Sequence, residues 1–354
     1  MLGGDPARDR WELWLRVLDH DLVAPPEALA AALAERAACG VALWAGPFAT
    51  LGAEFPELLA RPPAPLALEI RRVASAAWGI GQALHALHCR GDDGGPAGEI
   101  AMWITLAAAG LDHLVDDGLL DGDAMRRYLA PGRVIEVLRG GPPIAIPGFP
   151  WVERTLERGL TRLGEAMRVP GRDAELQREL RGELEHTIHA MLVAQLRSSE
   201  LVIGPHADLA RVRTDLRAIN ALTMWIAAYG GLLGHARPPP AALDTVRRIA
   251  TLFGDLGWAL DALSDLHDDL AHGVFSLVWL ELAELTGVDA PWLLDPRGRP
   301  DLALATLASS PVIDRILIRI RHQLAEIDRQ SHGGPIATLG RYMVAAFLHA
   351  EAAA

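Results

Sequence analysis

The chain has 354 residues, of which 51% are hydrophobic, so it can bury a large core in one or two domains. A net charge of -12 excludes nucleic acid or an anionic membrane surface as the main partner. The sequence has no uninterrupted apolar run of ~18 residues and begins without a signal-peptide pattern, so we expect a soluble, cytoplasmic protein. Two cysteines, Cys39 and Cys89, form neither a disulfide framework nor a thiolate metal site.

Ala and Leu dominate the composition, and the apolar residues recur with helical periodicity, which predicts an all-α protein. Residues 8–60 predict two or three helices, and a short helix carries Arg126 and Arg127. The longer predicted helices are 66–90, 98–117, 151–168, 173–201, 207–235, 241–272, 274–286, 301–308, 311–330 and 335–352. The stretch 131–150 is the longest without helical periodicity, and we predict a short strand at 134–138. Short loops favour a single domain, 1–354, with residues 1–65 packed outside the core bundle.

An acidic cluster lies near the end of the predicted helix 241–272. Asp261 and Asp265 are one helical turn apart, ~40° round and ~6 Å along the axis. Ideal geometry places Asp268 closer to the Asp261 line than Asp269, so the third member of this stripe stays open. Large apolar residues flank the stripe, and we expect it to face the interior, where carboxylates need a cation to offset their repulsion and desolvation.

A second acidic cluster ends the predicted helix 98–117. Asp112 and Asp116 again lie one turn apart on one face, followed by Asp117. One cluster alone is more often a solvated helix end. Two clusters of the same spacing, each in an apolar helix, favour a shared metal site. Ligands that are all oxygen atoms select Mg²⁺ or Mn²⁺ over zinc.

The two clusters together resemble the paired acidic motifs of the class I isoprenoid synthases, which include terpene cyclases, trans-prenyltransferases and squalene/phytoene synthases. Asp112 to Asp117 is similar to the DxxxDD first motif of squalene-synthase-like members, and Asp261, Asp265 and Asp269 match the spacing of the second motif. The family spacing favours Asp269 as the third ligand, and we adopt it. The resemblance implies one helical bundle around a central cavity and a cluster of Mg²⁺ ions, roughly three, for which Mn²⁺ can substitute.

The resemblance also implies residues that bind the diphosphate of the substrate. Arg341 and Tyr342 lie 80 residues after Asp261, similar to the Arg-Tyr pair that closes over the diphosphate in bacterial terpene cyclases. Arg213 and Arg217 precede Asp261 by 48 and 44 residues, near the position of a diphosphate-sensing arginine, and the choice between them stays open. The segment 224–231, with its paired glycines, predicts a broken helix beside the cavity.

An apolar, aromatic wall is the remaining feature that the resemblance implies, because it would shield a carbocation from water. Each aromatic residue taken alone is more often ordinary core. The residues proposed for this wall are Trp78, Trp103, Trp225, Phe253, Trp258, Phe275 and Trp279.

The expected activity is that of a terpene synthase, a lyase that cyclises a C15 or C20 prenyl diphosphate and releases diphosphate. Chain-elongating relatives usually carry Gln and paired aspartates in the second motif and a Lys for isopentenyl diphosphate. This chain has a single Asp261 there, and all of its 33 basic residues are Arg. The DxxxDD first motif keeps a trans-prenyltransferase or a squalene/phytoene-synthase-like coupling enzyme open as the alternative. Dimers are frequent in the family, so a homodimer is also an option.

Two hypotheses that assign the chain to other classes of protein stay open. His267 and Asp268 form an HD dyad, which suggests a metal phosphohydrolase, although His235 and His206 are only weak candidates for the further His ligands. A non-enzymatic helical binding protein would carry exposed carboxylates without a Mg²⁺-dependent ligand. The ExxH sequence Glu183 to His186 is typical of di-iron bundles, which need a second copy that the sequence lacks.

Overall fold

The structure is a computed structural model. It describes residues 50–56, 73–74, 77–82, 84–85, 95–116, 119–168, 172–199, 208–233, 240–266, 269, 275–287, 300–332, 336–337, 339–341 and 343–344.

The regular elements among these residues are all helices, and none of the described residues lies in a strand. Most helix ends fall within a few residues of the prediction. The longer helices are α1 (Gly95–Asp116), α2 (Gly122–Tyr128), α3 (Pro131–Leu138), α4 (Pro150–Met167), α5 (Ala174–Ser199), α6 (Leu209–Leu233), α7 (Pro240–Ser264), α8 (Leu277–Thr286), α9 (Pro300–Ala308) and α10 (Val312–Ser331). Helical residues also occur at 50–54, 77–82 and 336–344, in part.

The predicted strand at 134–138 is wrong, because these residues belong to helix α3. Pro131 occupies the first turn of α3, where its missing N–H is not needed. Val134, Val137 and Leu138 are buried, and their i, i+3, i+4 spacing places them on one face of a helix. Burial of that face against α4 and α5 outweighs the strand preference of the two valines.

Helix α6 lies inside the bundle and packs against α1, α5 and α7. In the first half of α6, Arg217 pairs with Asp255 in the second half of α7. Further along α6, the Trp225 ring lies 5.1 Å from the guanidinium of Arg247, in the first half of α7. Because later residues of α6 meet earlier residues of α7, the two helices are antiparallel.

Helix α1 is antiparallel to α4. Ile104, near the middle of α1, lies against Gly159 of α4. Gly110, nearer the end of α1, lies against Trp151 at the start of α4. A Cβ added at Gly110 would be 2.6 Å from the Trp151 ring, so the two helices are in close contact there.

Helices α4 and α6 end at the same side of the bundle. The buried guanidinium of Arg172 donates hydrogen bonds to the carbonyl oxygens of Met167, at the end of α4, and Leu233, at the end of α6. A cation at a helix C-terminus satisfies carbonyl groups that the helix itself leaves unpaired. Since α1 is antiparallel to α4, it is antiparallel to α6 as well.

The predicted break in the helix beside Gly230 and Gly231 is also wrong, because α6 is continuous through both residues. Gly230 serves close packing instead. A side chain there would collide with Ile100 of α1 and Leu163 of α4, so the glycine lets three helices approach one another.

The core is divided into a large cluster around α6 and α7 and a smaller one on the other side of α1. In the smaller cluster, the rings of Phe55 and Trp103 meet edge to face at 6.2 Å, and Trp78 packs on Gly98. No helix in the described ranges is long and apolar enough to cross a membrane.

Candidate functional site

The two acidic clusters lie at the same end of the bundle. Asp112 and Asp116 occupy the last two turns of α1, and Asp261 lies in the last turn of α7. Both helices are antiparallel to α6, so their C-terminal ends lie beside the end at which α6 begins. The fold therefore places at one end of the bundle two clusters that are about 150 residues apart in the sequence.

The second cluster keeps helical spacing past the end of α7. The N–H of Asp265 donates to the carbonyl of Asp261 at 2.9 Å, and the N–H of Asp269 donates to the carbonyl of Asp265 at 2.7 Å. Asp261 is exposed, Asp265 is half-buried and Asp269 is 8% exposed. The expectation that the stripe faces the interior therefore fits Asp269 and is wrong for Asp261. Asp268 lies outside the described residues.

The first cluster is exposed at Asp112. The carbonyl oxygen of Leu114 accepts the N–H groups of Leu119 and Leu120 at 2.9 and 2.7 Å, a pattern typical of a helix C-terminus. This turn explains why α1 stops directly after Asp116. Asp117 lies outside the described residues.

Arg217 forms a bidentate ion pair with Asp255, and its Nε and Nη2 each donate to one carboxylate oxygen at 2.7 Å. The hydrogen bond to Asp255 raises the pKa of Arg217, against a smaller lowering by burial. More than half of the Arg217 side chain is exposed, which leaves it accessible to a ligand.

Arg213 belongs to a larger network that joins α6, α8 and α10. Its Nε and Nη2 donate to Glu284 at 3.0 and 2.6 Å, and Nη2 also lies 3.1 Å from Glu281. Glu281 is 5% exposed and also accepts from Arg319 at 2.6 Å. Burial lowers the pKa of Arg213, but the pairs with Glu284 and Glu281 raise it overall.

Sequence reasoning missed the carboxylate partners of both arginines. For Glu281 and Glu284 a signal was available, because two acidic residues three apart stand in the otherwise apolar helix α8. For Asp255 no comparable pattern marks the residue.

The structure describes one residue of the predicted Arg-Tyr pair, Arg341. Arg341 is exposed and lies 3.3 Å from Asp328 of α10. Tyr342 lies outside the described residues. Two neighbouring contacts place this last helical segment beside α7 and the segment 77–82, because Met343 lies near Gly257 and Leu339 near Gly79.

The aromatic residues proposed as a wall do not share one environment. Trp103 projects ~180° away from Asp112 around α1, toward Phe55, which does not suit a wall around a substrate held at Asp112. Trp225 stacks on Tyr229 at 4.4 Å on the side of α6 that meets Arg247. Of the others, Trp78, Phe253, Trp258 and Trp279 are buried and Phe275 is half-buried.

The described donor atoms fit Mg²⁺, although no group of three described His, Cys, Asp or Glu side chains can hold a metal by itself. The clusters offer only carboxylate oxygen, which Mg²⁺ prefers. Mg²⁺ commonly uses one or two carboxylates and completes its coordination with water and substrate phosphates. Asp112 and the Asp261 stripe would therefore supply part of the coordination of such ions.

The ExxH sequence does not form part of a metal site. Glu183 pairs with Arg247, and Glu185 pairs with Arg139 at 2.6 Å. Both glutamates hold α5 to neighbouring elements.

The fold is similar to that in a crystal structure of geranylgeranyl pyrophosphate synthase from Lactobacillus brevis ATCC 367. The TM-score is 0.50, the sequence identity is 14%, and the match covers 86% of this chain and 94% of that chain. The predicted all-α isoprenoid synthase fold is thereby confirmed. No family model matches the chain, and no curated protein matches it significantly in sequence.

Proposed function

We propose that the protein is a Mg²⁺-dependent enzyme that ionises a prenyl diphosphate. The supporting observation is the placement of two acidic clusters at one end of an isoprenoid synthase fold, on helices that flank α6. Arg213 and Arg217 lie in the first half of α6, at the same end.

The carboxylates would hold the metal ions. Asp112, Asp116 and Asp117 would serve on one side, and Asp261, Asp265 and Asp269 on the other. When bound, Mg²⁺ neutralises the diphosphate and makes it a better leaving group. Because Mg²⁺ needs few protein ligands, exposed carboxylates such as Asp112 and Asp261 suit this role.

The arginines would bind the phosphate oxygens by charge-assisted hydrogen bonds. Arg217 is the more exposed of the two, while Arg213 already contacts two carboxylates. A diphosphate would share or replace those contacts. When the carbon–oxygen bond breaks, its electron pair remains on the diphosphate and the prenyl group becomes a carbocation.

Coupling of the cation to a second isoprenoid unit is the candidate that the fold comparison favours. The similar structure is that of a geranylgeranyl pyrophosphate synthase. The fold comparison therefore supports the prenyltransferase alternative more than the terpene cyclase that the sequence analysis favoured.

Cyclisation is the second candidate. It is favoured by the absence of Lys from the whole chain and by the single Asp261 at the start of the second motif. Chain-elongating enzymes usually carry such a Lys and paired aspartates at this position. Both differences therefore argue against a binding site for isopentenyl diphosphate.

Incubation with C10, C15 and C20 prenyl diphosphates would separate the candidates. Each substrate is tested with Mg²⁺ or a chelator, and with or without isopentenyl diphosphate. Released diphosphate and products are then measured. Longer diphosphates formed only with isopentenyl diphosphate would establish coupling, and cyclic products from one substrate would establish cyclisation. If no substrate releases diphosphate with Mg²⁺, the proposal is refuted.

Asp261→Asn tests the site itself. We expect it to abolish diphosphate release while the helical circular dichroism is unchanged. Asp244→Asn is a matched control, because Asp244 is an exposed aspartate of the same helix near its opposite end. Equal activity of the two variants would show that Asp261 is not a ligand in the metal site.

A further inference from the structure

A second arginine shares the buried carboxylate that holds Arg213. Oε1 of Glu281 accepts a hydrogen bond from Nη2 of Arg213 at 3.1 Å and another from Nη2 of Arg319 at 2.6 Å. Because both nitrogens contact the same oxygen atom, they are less than ~6 Å apart. Arg213 and Arg319 therefore form an arginine pair, which one carboxylate of α8 holds between α6 and α10.

The arginine pair keeps several unused hydrogen-bond donors. A guanidinium has about five N–H donors. In bonds to described residues, Arg213 uses only Nε and Nη2, and Arg319 uses only Nη2. The two side chains are 26% and 33% exposed, so a ligand can reach the remaining donors. Two such cations side by side suit an anion with several oxygen atoms, such as a phosphate group.

The two glutamates that contact the arginine pair differ in environment. Glu281 is 5% exposed, and a buried carboxylate is strongly destabilised when it loses a cationic partner. Glu284 contacts only Arg213 among the described residues, and its side chain is 34% exposed. An ion pair that is this accessible to water contributes little to stability. A multiply charged anion can therefore replace Glu284 at Arg213 while Glu281 keeps the arginine pair together.

The packing of α6 against α7 places Arg213 level with the second acidic cluster. A Cβ added at Gly254 of α7 would meet the backbone of Ala221 of α6. Asp261 comes seven residues after Gly254, ~10.5 Å along the axis and only ~20° away in direction, so it also faces α6. Arg213 comes eight residues before Ala221, ~12 Å in the same direction, because the two helices are antiparallel. The arginine pair therefore lies at the end of the bundle that carries this cluster.

We propose that Glu281 is a positioning residue, which keeps Arg213 and Arg319 close enough to bind one diphosphate, and that Glu284 occupies Arg213 until the diphosphate replaces it. Arg319 thereby becomes a diphosphate-binding residue, although no sequence motif marks it. Glu281 acts through the arginine pair and contacts no substrate atom. The inference rests on the proposed function and adds residues to the same site.

Glu281→Gln and Glu284→Gln test the two roles, because they make the same chemical change on one helix. Isothermal titration calorimetry of the full chain measures the affinity for inorganic diphosphate with Mg²⁺. We expect Glu284→Gln to bind about two- to fivefold more tightly, because Arg213 no longer has to leave an ion pair. We expect Glu281→Gln to bind about fivefold more weakly, because the arginine pair loses its shared carboxylate.

The opposite signs separate this inference from simpler explanations. Removal of a nearby negative charge would by itself tighten diphosphate binding in both variants. A purely structural role would lower the free energy of unfolding and leave the affinity unchanged. Equal affinities, changes in the same direction, or a wild type that does not bind Mg²⁺ and diphosphate would each overturn the inference.

Arg319→Met tests the second arginine, and it decides the inference even if Glu281→Gln does not fold. We expect the affinity for inorganic diphosphate with Mg²⁺ to fall about tenfold, as for the loss of a charge-assisted hydrogen bond. Arg321→Met is the matched control, because Arg321 is an exposed arginine of the same helix that projects ~200° away. Equal affinities of these two variants would overturn the assignment of Arg319.

Turnover distinguishes failure of the inference from failure of the proposed function. With a prenyl diphosphate that the wild type ionises, the KM should fall in Glu284→Gln and rise in Arg319→Met, and Arg319→Lys should recover part of the loss. An unchanged KM in the first two variants would overturn the inference and leave the ionisation intact. If the wild type binds Mg²⁺ and diphosphate but releases none from any prenyl diphosphate, the proposed function fails and the anion site remains.

Discussion

Gly254→Ala should destabilise the contact between α6 and α7. A Cβ built at Gly254 would lie 2.6 Å from the Cα of Ala221 and 2.7 Å from the carbonyl oxygen of Asn220. Both are backbone atoms of α6, so no rotamer change can relieve the overlap and the helices must separate. Overpacking of this kind costs ~1–3 kcal/mol, and the better helix propensity of Ala returns up to ~1 kcal/mol. We expect a net loss of about 1–2 kcal/mol.

Gly182→Ala is the matched control, because it makes the same chemical change in α5 where nothing lies within 4 Å of the added Cβ. Propensity alone should then stabilise the protein by ~0.5–1 kcal/mol. Urea unfolding followed by circular dichroism measures both variants. The two substitutions should shift the unfolding midpoint in opposite directions. A Gly254→Ala protein as stable as the wild type would refute the inferred helix contact.

Three further predictions concern buried and paired charges. Arg172→Met should lower the free energy of unfolding by about 2–4 kcal/mol, because the ends of α4 and α6 lose a charged hydrogen-bond donor. A urea unfolding midpoint equal to that of the wild type would show that Arg172 does not stabilise these helix ends. Hydrogen bonds from Arg329 and Gln330 lower the pKa of Glu326 to about 2. Its carboxylate therefore stabilises the folded protein fully at pH values above the unfolded pKa near 4.5, and this stabilisation is lost as the pH falls toward 2. An NMR titration should show this value, and Arg329→Gln should move it upward. Glu281→Ala should destabilise the protein more than Glu284→Ala in the same unfolding assay, because Glu281 is buried and contacts two arginines. The reverse order would refute the ion-pair network that joins α6, α8 and α10.

Helical periodicity predicted most of the fold because most helices bury one apolar face. It failed at α3, where two valines suggested a strand but only packing against α4 and α5 decides the outcome. It also failed at Gly230, because a glycine that breaks a helix and one that admits a neighbouring side chain look alike in a sequence.

The acidic clusters were recognisable because their members are one turn apart in one helix. The ion pairs of Arg213 and Arg217 were not, since they join residues 38 to 71 positions apart.

Helix α5 is also antiparallel to α6, because Arg197 near the end of α5 pairs with Asp215 near the start of α6. The antiparallel packing of α5, α6 and α7 has a consequence for folding. These helices follow one another in the chain, so their contacts close short loops, whereas contact between Ile100 and Gly230 closes a loop of 130 residues. Local contacts form first because their loop-closure entropy is smaller. We expect α5–α7 to assemble before α1 docks. The repulsion between the two acidic clusters then opposes only that last step, so divalent cations should speed the docking of α1 without changing the earlier phase.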